Sequence, residues 1–207
     1  MHQTHNLLFD LGKVLLDFDN NNAATYFTSL GISDFAERHQ RLAAKNIFND
    51  FETGAITRES FLNIINKEVE GKIPMQEILK AWNSILIGFR VPSMQHLNNL
   101  KSRYQLYLLS NTNPIHLEAI QEMAIAELNG QQLENYFIKA FYSHLTGYRK
   151  PSSEIYEKVL TDTGIIAEET IFVDDLPENI AAAARLGFKT RLLLPEERIE
   201  NIDFTHI

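Results

Sequence analysis

The chain has 207 residues, 44% of them hydrophobic, which is enough apolar material for one sizeable core or a core with an insertion and excludes a disordered chain. It has no cysteine, so disulfides, thiolate metal sites and cysteine nucleophiles are excluded. A net charge of -8, from 27 acidic and 19 basic residues, disfavours nucleic acid as a partner and leaves room for a small anion held by local cations or a metal.

The opening MHQTHNLLFD lacks the basic stretch and long apolar run of a secretory leader. No window approaches the roughly 18 apolar residues of a membrane span. A soluble, cytoplasmic protein with no membrane partner is expected. Nothing in the pattern specifies an oligomeric state.

In chain order, the first element is the short apolar run Asn6-Leu7-Leu8-Phe9, which ends in Asp10. Continuous apolar runs of this length suit strands covered on both faces of a parallel sheet. Asp17-Phe18-Asp19-Asn20 then offers helix N-cap candidates. Residues 21–90 read as helix upon helix with no strand between them: Ala23, Phe27, Leu30, Phe48, Phe51, Phe61, Ile64, Ile65, Ile78, Leu79, Trp82 and Ile85 recur mostly at helical spacing. Gly31, Gly54 and Gly71-Lys72-Ile73-Pro74 punctuate the run.

From Pro92 onward strands and helices alternate. Helices are expected over 93–102, from 115 to at least 121, over 152–163 and over 177–186, the last closed by Gly187. Strands are expected over 105–109, near 140–142, over 170–173 and over 190–194. Such alternation predicts an α/β fold, a doubly wound Rossmann-like parallel sheet with right-handed crossovers. The helical stretch becomes a small inserted subdomain over residues 18–90, and the sheet-bearing core takes residues 1–17 and 91–207.

Ligands of such sheets collect beyond the carboxyl ends of the strands. Four ends carry polar residues: Asp10, then Ser110-Asn111-Thr112-Asn113, then Arg149-Lys150, then Asp174-Asp175 after Thr170-Ile171-Phe172-Val173. Three carboxylates sharing one crevice repel one another unless a proton or cation intervenes, and a hard divalent ion such as Mg2+ is the natural neutraliser. Each motif alone has an ordinary reading, since an Asp after a strand forms turns, Ser-Asn is a common turn, and Lys-Pro often opens a helix. All four at successive strand ends argue for one shared site.

In these motifs the chain resembles the haloacid dehalogenase-like hydrolases: FDLGKV matches the family's first motif, LLSN its second, the Lys-Pro of GYRKPSSEIYEKVL its third and FVDDLPENIAAAARLGF its fourth. The order and spacing hold over nearly the whole chain, and the helical insertion resembles the family's cap. The DLG form with LSNTN is most similar to sugar-phosphate phosphatases of the alpha-D-glucose-1-phosphate phosphatase kind.

The resemblance implies a Mg2+-dependent phosphatase of a small phosphorylated metabolite, a sugar phosphate foremost, acting through an aspartyl-phosphate at Asp10. Asp10, Asp175 and the Gly12 carbonyl would hold Mg2+, with Asp174 a direct or water-mediated ligand. Ser110 and the Asn111 amide would grip phosphate oxygens, while Lys150 would bridge Asp10 and the phosphoryl group. Asn179 would steady the acidic loop. In most of the family's phosphatases a second Asp, the acid-base, stands where this chain has Gly12, and a small residue where it has Lys13. That departure motivates the rival reading, a non-catalytic phosphate-ligand binder or regulatory protein; phosphomutase and haloacid dehalogenase activities are the weaker alternatives.

The remaining polar residues are expected to be structural. His2, His5, His39, His96, His116, His144 and His206 show no metal-ligand spacing, Trp82 reads as core, Glu52 as a solvated helix end, and Asp17 and Asp19 as caps.

Overall fold

A computed structural model describes residues 3–207. Strands β1 (Asn6–Phe9) and β2 (Leu16–Phe18) are followed by helices α1 (Asn21–Ser29), α2 (Phe35–Ala44), α3 (Ile47–Glu52), α4 (Arg58–Glu68) and α5 (Met75–Asn83). Then come β3 (Leu86–Phe89), α6 (Val91–Leu100), β4 (Gln105–Ser110), α7 (Pro114–Glu127), β5 (Lys139–Tyr142), the single turn α8 (Ser143–Thr146), α9 (Ser153–Thr163), β6 (Thr170–Asp174), α10 (Pro177–Arg185) and β7 (Lys189–Leu192).

Five parallel strands make the main sheet in the order β5-β4-β1-β6-β7. The chain therefore builds outward from β1 through β4 to β5, then crosses back to add β6 and β7 on the other side. A crevice opens at such a reversal, beyond the carboxyl end of β1. Register fixes what faces it: Phe9 pairs with Leu108 on one side and Val173 on the other, so Asp10 and Asp174 come out level on adjacent strands.

Period-two alternation divides the buried strand residues between two faces. Leu7, Phe9, Leu106, Leu108, Ile171 and Val173 pack on one face with Met94 and Leu97 of α6 and Leu117, Ile120 and Ala124 of α7. Leu8, Tyr107, Leu109 and Phe172 pack on the other with Ile155, Tyr156 and Val159 of α9 and Ala182 and Ala183 of α10. Both faces are covered, which is why these strands are apolar throughout. The doubly wound sheet expected from the sequence is the fold.

The helices start where their sequences supply a cap. The Thr57 hydroxyl accepts from the Ser60 N–H at 3.1 Å to begin α4, and the Asn113 carboxamide accepts from the Ile115 and His116 N–H groups to begin α7. Pro92, Pro114 and Pro177 occupy first-turn positions, where a missing N–H costs nothing. Helix α6 starts two residues earlier than expected, and α7 runs on to Glu127.

One expectation fails within residues 21–90. Leu86–Phe89 is a strand, paired antiparallel with Leu16–Phe18, so a two-stranded ribbon joins the helical insertion to the sheet. Its partner lies some seventy residues away in sequence, and a four-residue run beside helical Trp82 and Ile85 carries no local period to announce it. Asp17 accordingly sits in a strand and pairs with Arg90 at 2.8 Å instead of capping a helix; Asp19 does accept from the Asn21 N–H at 2.9 Å.

The five helices between the ribbon strands enclose a second core of Phe27, Ile32, Phe35, Leu42, Phe51, Phe61, Ile65, Val69, Ile73, Ile78, Ala81 and Trp82, to which α7 contributes Ile115. Phe61 is fully buried, stacks on Phe51 at 4.0 Å and meets Trp82 at 4.7 Å. Phe61→Ala is expected to lower stability by about 3–5 kcal/mol, as a fall in the urea midpoint. A midpoint within error of the parent would show that this cluster does not stabilise the fold.

Candidate active site

Asp10 follows β1, Asp174 ends β6 and Asp175 follows it; one carboxylate oxygen from each lies within 4.8 Å of the others. The Lys150 ammonium, almost fully buried, stands 2.6 Å from Asp10 Oδ1 and 2.7 Å from Asp174 Oδ2. Asp174 is the deepest of the three. Its oxygens also accept from the Asn179 carboxamide at 3.0 and 3.1 Å and from the Leu176 N–H at 2.8 Å. Among the described residues Asp10 has no comparable set of donors, and it lines the crevice.

Three carboxylates against one ammonium leave this buried cluster short of positive charge. Burial pushes the Asp10 carboxyl up to about 7, opposed by Lys150 and reinforced by Asp174 and Asp175. Burial and the Asp174 charge likewise raise Asp175. Burial pulls the Lys150 ammonium down, but Asp10 and Asp174 override it and hold the lysine above its ordinary range. A hard divalent cation suits this donor set, because only oxygen ligands are offered and the unbalanced charge is negative.

The second polar run divides its labour. Ser110 is buried at the end of β4, and among the described residues its hydroxyl makes one long contact, 3.5 Å to the Asn111 carbonyl. The Asn111 side chain does not face the crevice: its amide donates to the Lys150 carbonyl at 3.0 Å and its oxygen accepts from the Lys150 N–H at 2.9 Å. This clamp fixes the backbone that carries the lysine. Thr112 is tied through backbone to Ser143, and Asn113 caps α7.

A pocket of about 250 Å³ joins these residues, lined by Asp10, Gly12, Ser110, Asn111, Thr112 and Lys150 from the sheet side and by Asn20, Glu52 and Ile85 from the helical insertion. Glu52 is not the solvated helix end its sequence suggests. It accepts from Arg149 Nε at 2.8 Å, tying the end of α3 to the residue before Lys150. Two positions further on, Gly54 has φ of +73° and lies so close to the His144 carbonyl that a Cβ would stand 2.4 Å from it. Ninety-seven residues separate Glu52 from Arg149, and no local signal links them.

His116 also lines this pocket, but it is not a free base. Its Nε2–H donates to the Trp82 carbonyl at 3.1 Å while Nδ1 accepts from the Asn113 amide at 3.0 Å. Burial pushes the ring down to about 4, so it is neutral near pH 7.

Similarity to known proteins runs over the whole fold. The haloacid dehalogenase-like hydrolase family matches residues 5–187. A D-ribitol-5-phosphate phosphatase from Bacteroides thetaiotaomicron is 30% identical over 185 residues, 89% of each chain. A sesquiterpene phosphatase from Aspergillus oryzae is 53% identical over 183 residues, covering 87% of this chain and 85% of that one. A family enzyme from Bacteroides thetaiotaomicron, solved with magnesium and inorganic phosphate, superposes with a TM-score of 0.85 at 32% identity over 98% of each chain.

Gly12 stands two residues beyond Asp10, and its φ lies outside the left-handed region. What excludes a side chain there is Phe18: a Cβ on residue 12 would meet the ring at 2.6 Å. Lys13, at φ of +57°, lays its ammonium over that ring, 4.7 Å from the centroid, and donates to the Phe18 carbonyl. A Cβ at residue 12 therefore requires the edge of the Phe18 ring to shift. Gly12→Asp is expected to displace Phe18 and lower the melting temperature, and Phe18→Ala in the same chain to recover part of the loss, a coupling of about 0.5–3 kcal/mol. Additive effects of the two substitutions in a double-mutant cycle would mean that the ring does not occupy that space.

Proposed function

Because the chain belongs to the haloacid dehalogenase-like hydrolases, and its phosphatase relatives make it a hydrolase of phosphate esters, we propose that it cleaves a small phosphorylated metabolite through an aspartyl-phosphate at Asp10. The observation that carries this reading is the Asp10–Lys150–Asp174 bridge at the mouth of β1. A carboxylate held 2.6 Å from an ammonium at the floor of a pocket has one face left for phosphorus, and the ammonium can follow charge onto the phosphoryl oxygens.

Asp10, Asp175 and the Gly12 carbonyl would hold Mg2+, with Asp174 adding charge from behind. Bound there, the ion would neutralise phosphoryl oxygens and orient them for in-line attack. The Ser110 hydroxyl and the Asn111 N–H are the donors for the remaining oxygens. As Asp10 bonds to phosphorus the P–O bond to the alcohol breaks, and the departing alkoxide takes its proton from water; a second water then attacks phosphorus, breaking the bond to Asp10 and releasing inorganic phosphate.

With Phe18 beside Gly12, the Asp10 loop has no side chain to protonate the leaving oxygen. General acid assistance is worth roughly 10²–10⁴-fold, so rates should depend steeply on leaving-group basicity. Two compound classes have support as substrates. The ribitol phosphate relative favours a sugar or polyol phosphate, as does the DLG form of the first motif, and the sesquiterpene phosphatase favours the phosphate of an apolar alcohol.

Asp10→Asn should fold but lose Mg2+-dependent hydrolysis of p-nitrophenyl phosphate to background. A folded variant with parental turnover would remove Asp10 as the nucleophile. Phosphate binding without any turnover in the parent would favour the rival, a non-catalytic binder.

The raised Asp10 carboxyl gives a pH signature. Its folded value of about 7 lies above the ordinary 3.8, so its contribution to metal-free stability is complete below about pH 4 and is lost as the pH rises through 7. Mg2+ takes the ionised form and should reverse that loss. The rise in melting temperature on adding Mg2+ is therefore expected to be larger at pH 8 than at pH 5.5. An equal or smaller rise at pH 8 would place the metal away from this cluster.

A further inference from the structure

The catalytic pocket opens into a larger cleft of about 430 Å³ within the helical insertion, and Asn20, Glu52, Ile85 and His116 line both. A cleft of this size is in the usual range for holding a small organic body. Its wall is a run of stacked rings leading away from the chemistry. His116 stacks on Trp82 at 5.3 Å, Phe48 on Trp82 at 5.6 Å, and His39, at the exposed end, on Phe48 at 4.3 Å. Phe35 and Phe51 complete the apolar lining.

The polar groups nearest the catalytic pocket are engaged, while Trp82 Nε1 is buried without a partner among the described residues and Asn20 and Gln40 also line the cleft. Both nitrogens of His116 are bonded to protein and the ring is neutral near pH 7. The Asn113 carboxamide caps α7. Among the described lining residues there is no lysine or arginine, and the one carboxylate, Glu52, is paired with Arg149. A second phosphate would find no counter-charge beyond the catalytic pocket. The hydroxyls of a sugar would give up water against aromatic faces for few partners, a poor exchange. An apolar body gains from the same burial.

Resting on the phosphatase reading, we propose that this cleft receives the alcohol portion of the substrate and that the substrate is the monophosphate ester of an apolar alcohol. The phosphoryl group sits over Asp10, and the hydrocarbon lies along the ring wall from His116 toward His39. Specificity then comes from the insertion, and the sheet edge recognises only phosphate.

The test is a series of n-alkyl phosphates from ethyl to decyl, in which the leaving oxygen barely changes, with glycerol 3-phosphate and glucose 1-phosphate as polar comparators. Calorimetric binding of the matching n-alkylphosphonates gives a readout free of turnover. We expect kcat/KM and phosphonate affinity to rise together, about threefold to fourfold per methylene until the cleft is filled, with an increasingly negative heat-capacity change of binding. Ala36→Phe, at an exposed position of α2 on the cleft, should lower the decyl-to-ethyl ratio at least tenfold.

A flat series in both measurements, or polar comparators preferred over every alkyl ester, overturns the inference; hydrolysis of ethyl phosphate in that case leaves the phosphatase reading standing. Affinity that climbs with chain length while no ester is turned over supports the cleft and overturns the phosphatase reading.

Discussion

The buried contact between Lys150 and the carboxylates of Asp10 and Asp174 is the constraint around which the rest of the structure is arranged. Removing an ammonium and two carboxylates from water is costly, and the cost is offset only if geometry is tight and the remaining lone pairs find donors. A relay of positioned groups supplies them. The Tyr156 hydroxyl donates to the Asn179 carbonyl at 3.0 Å, Asn179 and Leu176 donate to Asp174, Asp174 meets Lys150, and Lys150 meets Asp10. On the other side the Asn111 clamp holds the lysine's own backbone. The lone pairs left over in this network belong to Asp10 and Asp175, where a cation and a phosphoryl group would arrive.

The parts that were legible in the sequence are those whose cause is local. A strand buried on both faces has to be apolar, so runs such as Leu7-Leu8-Phe9 and Ile171-Phe172-Val173 declare themselves, and the polar residue after each marks the strand end. Order along the chain then places those ends at one crevice, because parallel strands all finish on the same edge. Cap chemistry was legible only in part: Pro177 opens a helix as read, whereas Asp17, offered as a cap, lies in a strand.

What the sequence hid is pairing at a distance. The ribbon of β2 and β3, the Arg90–Asp17 pair and the Glu52–Arg149 pair each join residues about seventy or more positions apart, and none has a period or spacing that reveals it. Phe18 beside Gly12 is a subtler case, because the two are close in sequence but meet only after the chain turns at Lys13. Reading Gly12 as a missing carboxylate treats the position as vacant, whereas the ring and the lysine packed on it make the small residue a packing requirement. Trp82 was read as core, and it is, yet its stacked neighbours make one side of that core the wall of a cleft.

Helix α7 couples the two halves of the site. Its N-cap, Asn113, closes the run that begins with Ser110, and one turn later His116 donates to the Trp82 carbonyl and stacks on the Trp82 ring while Ile115 enters the core of the insertion. The strand end that offers donors to phosphate is therefore rigidly connected to the aromatic wall that would contact the rest of the ester. The Glu52–Arg149 pair makes a second such connection beside Lys150. Catalysis depends on holding nucleophile, ammonium and phosphorus in place to within a fraction of an ångström, and a substrate body seated against a wall fixed to that frame brings its phosphate to a defined place. An insertion attached only through the ribbon of β2 and β3 could enclose the ester, but it could not align it.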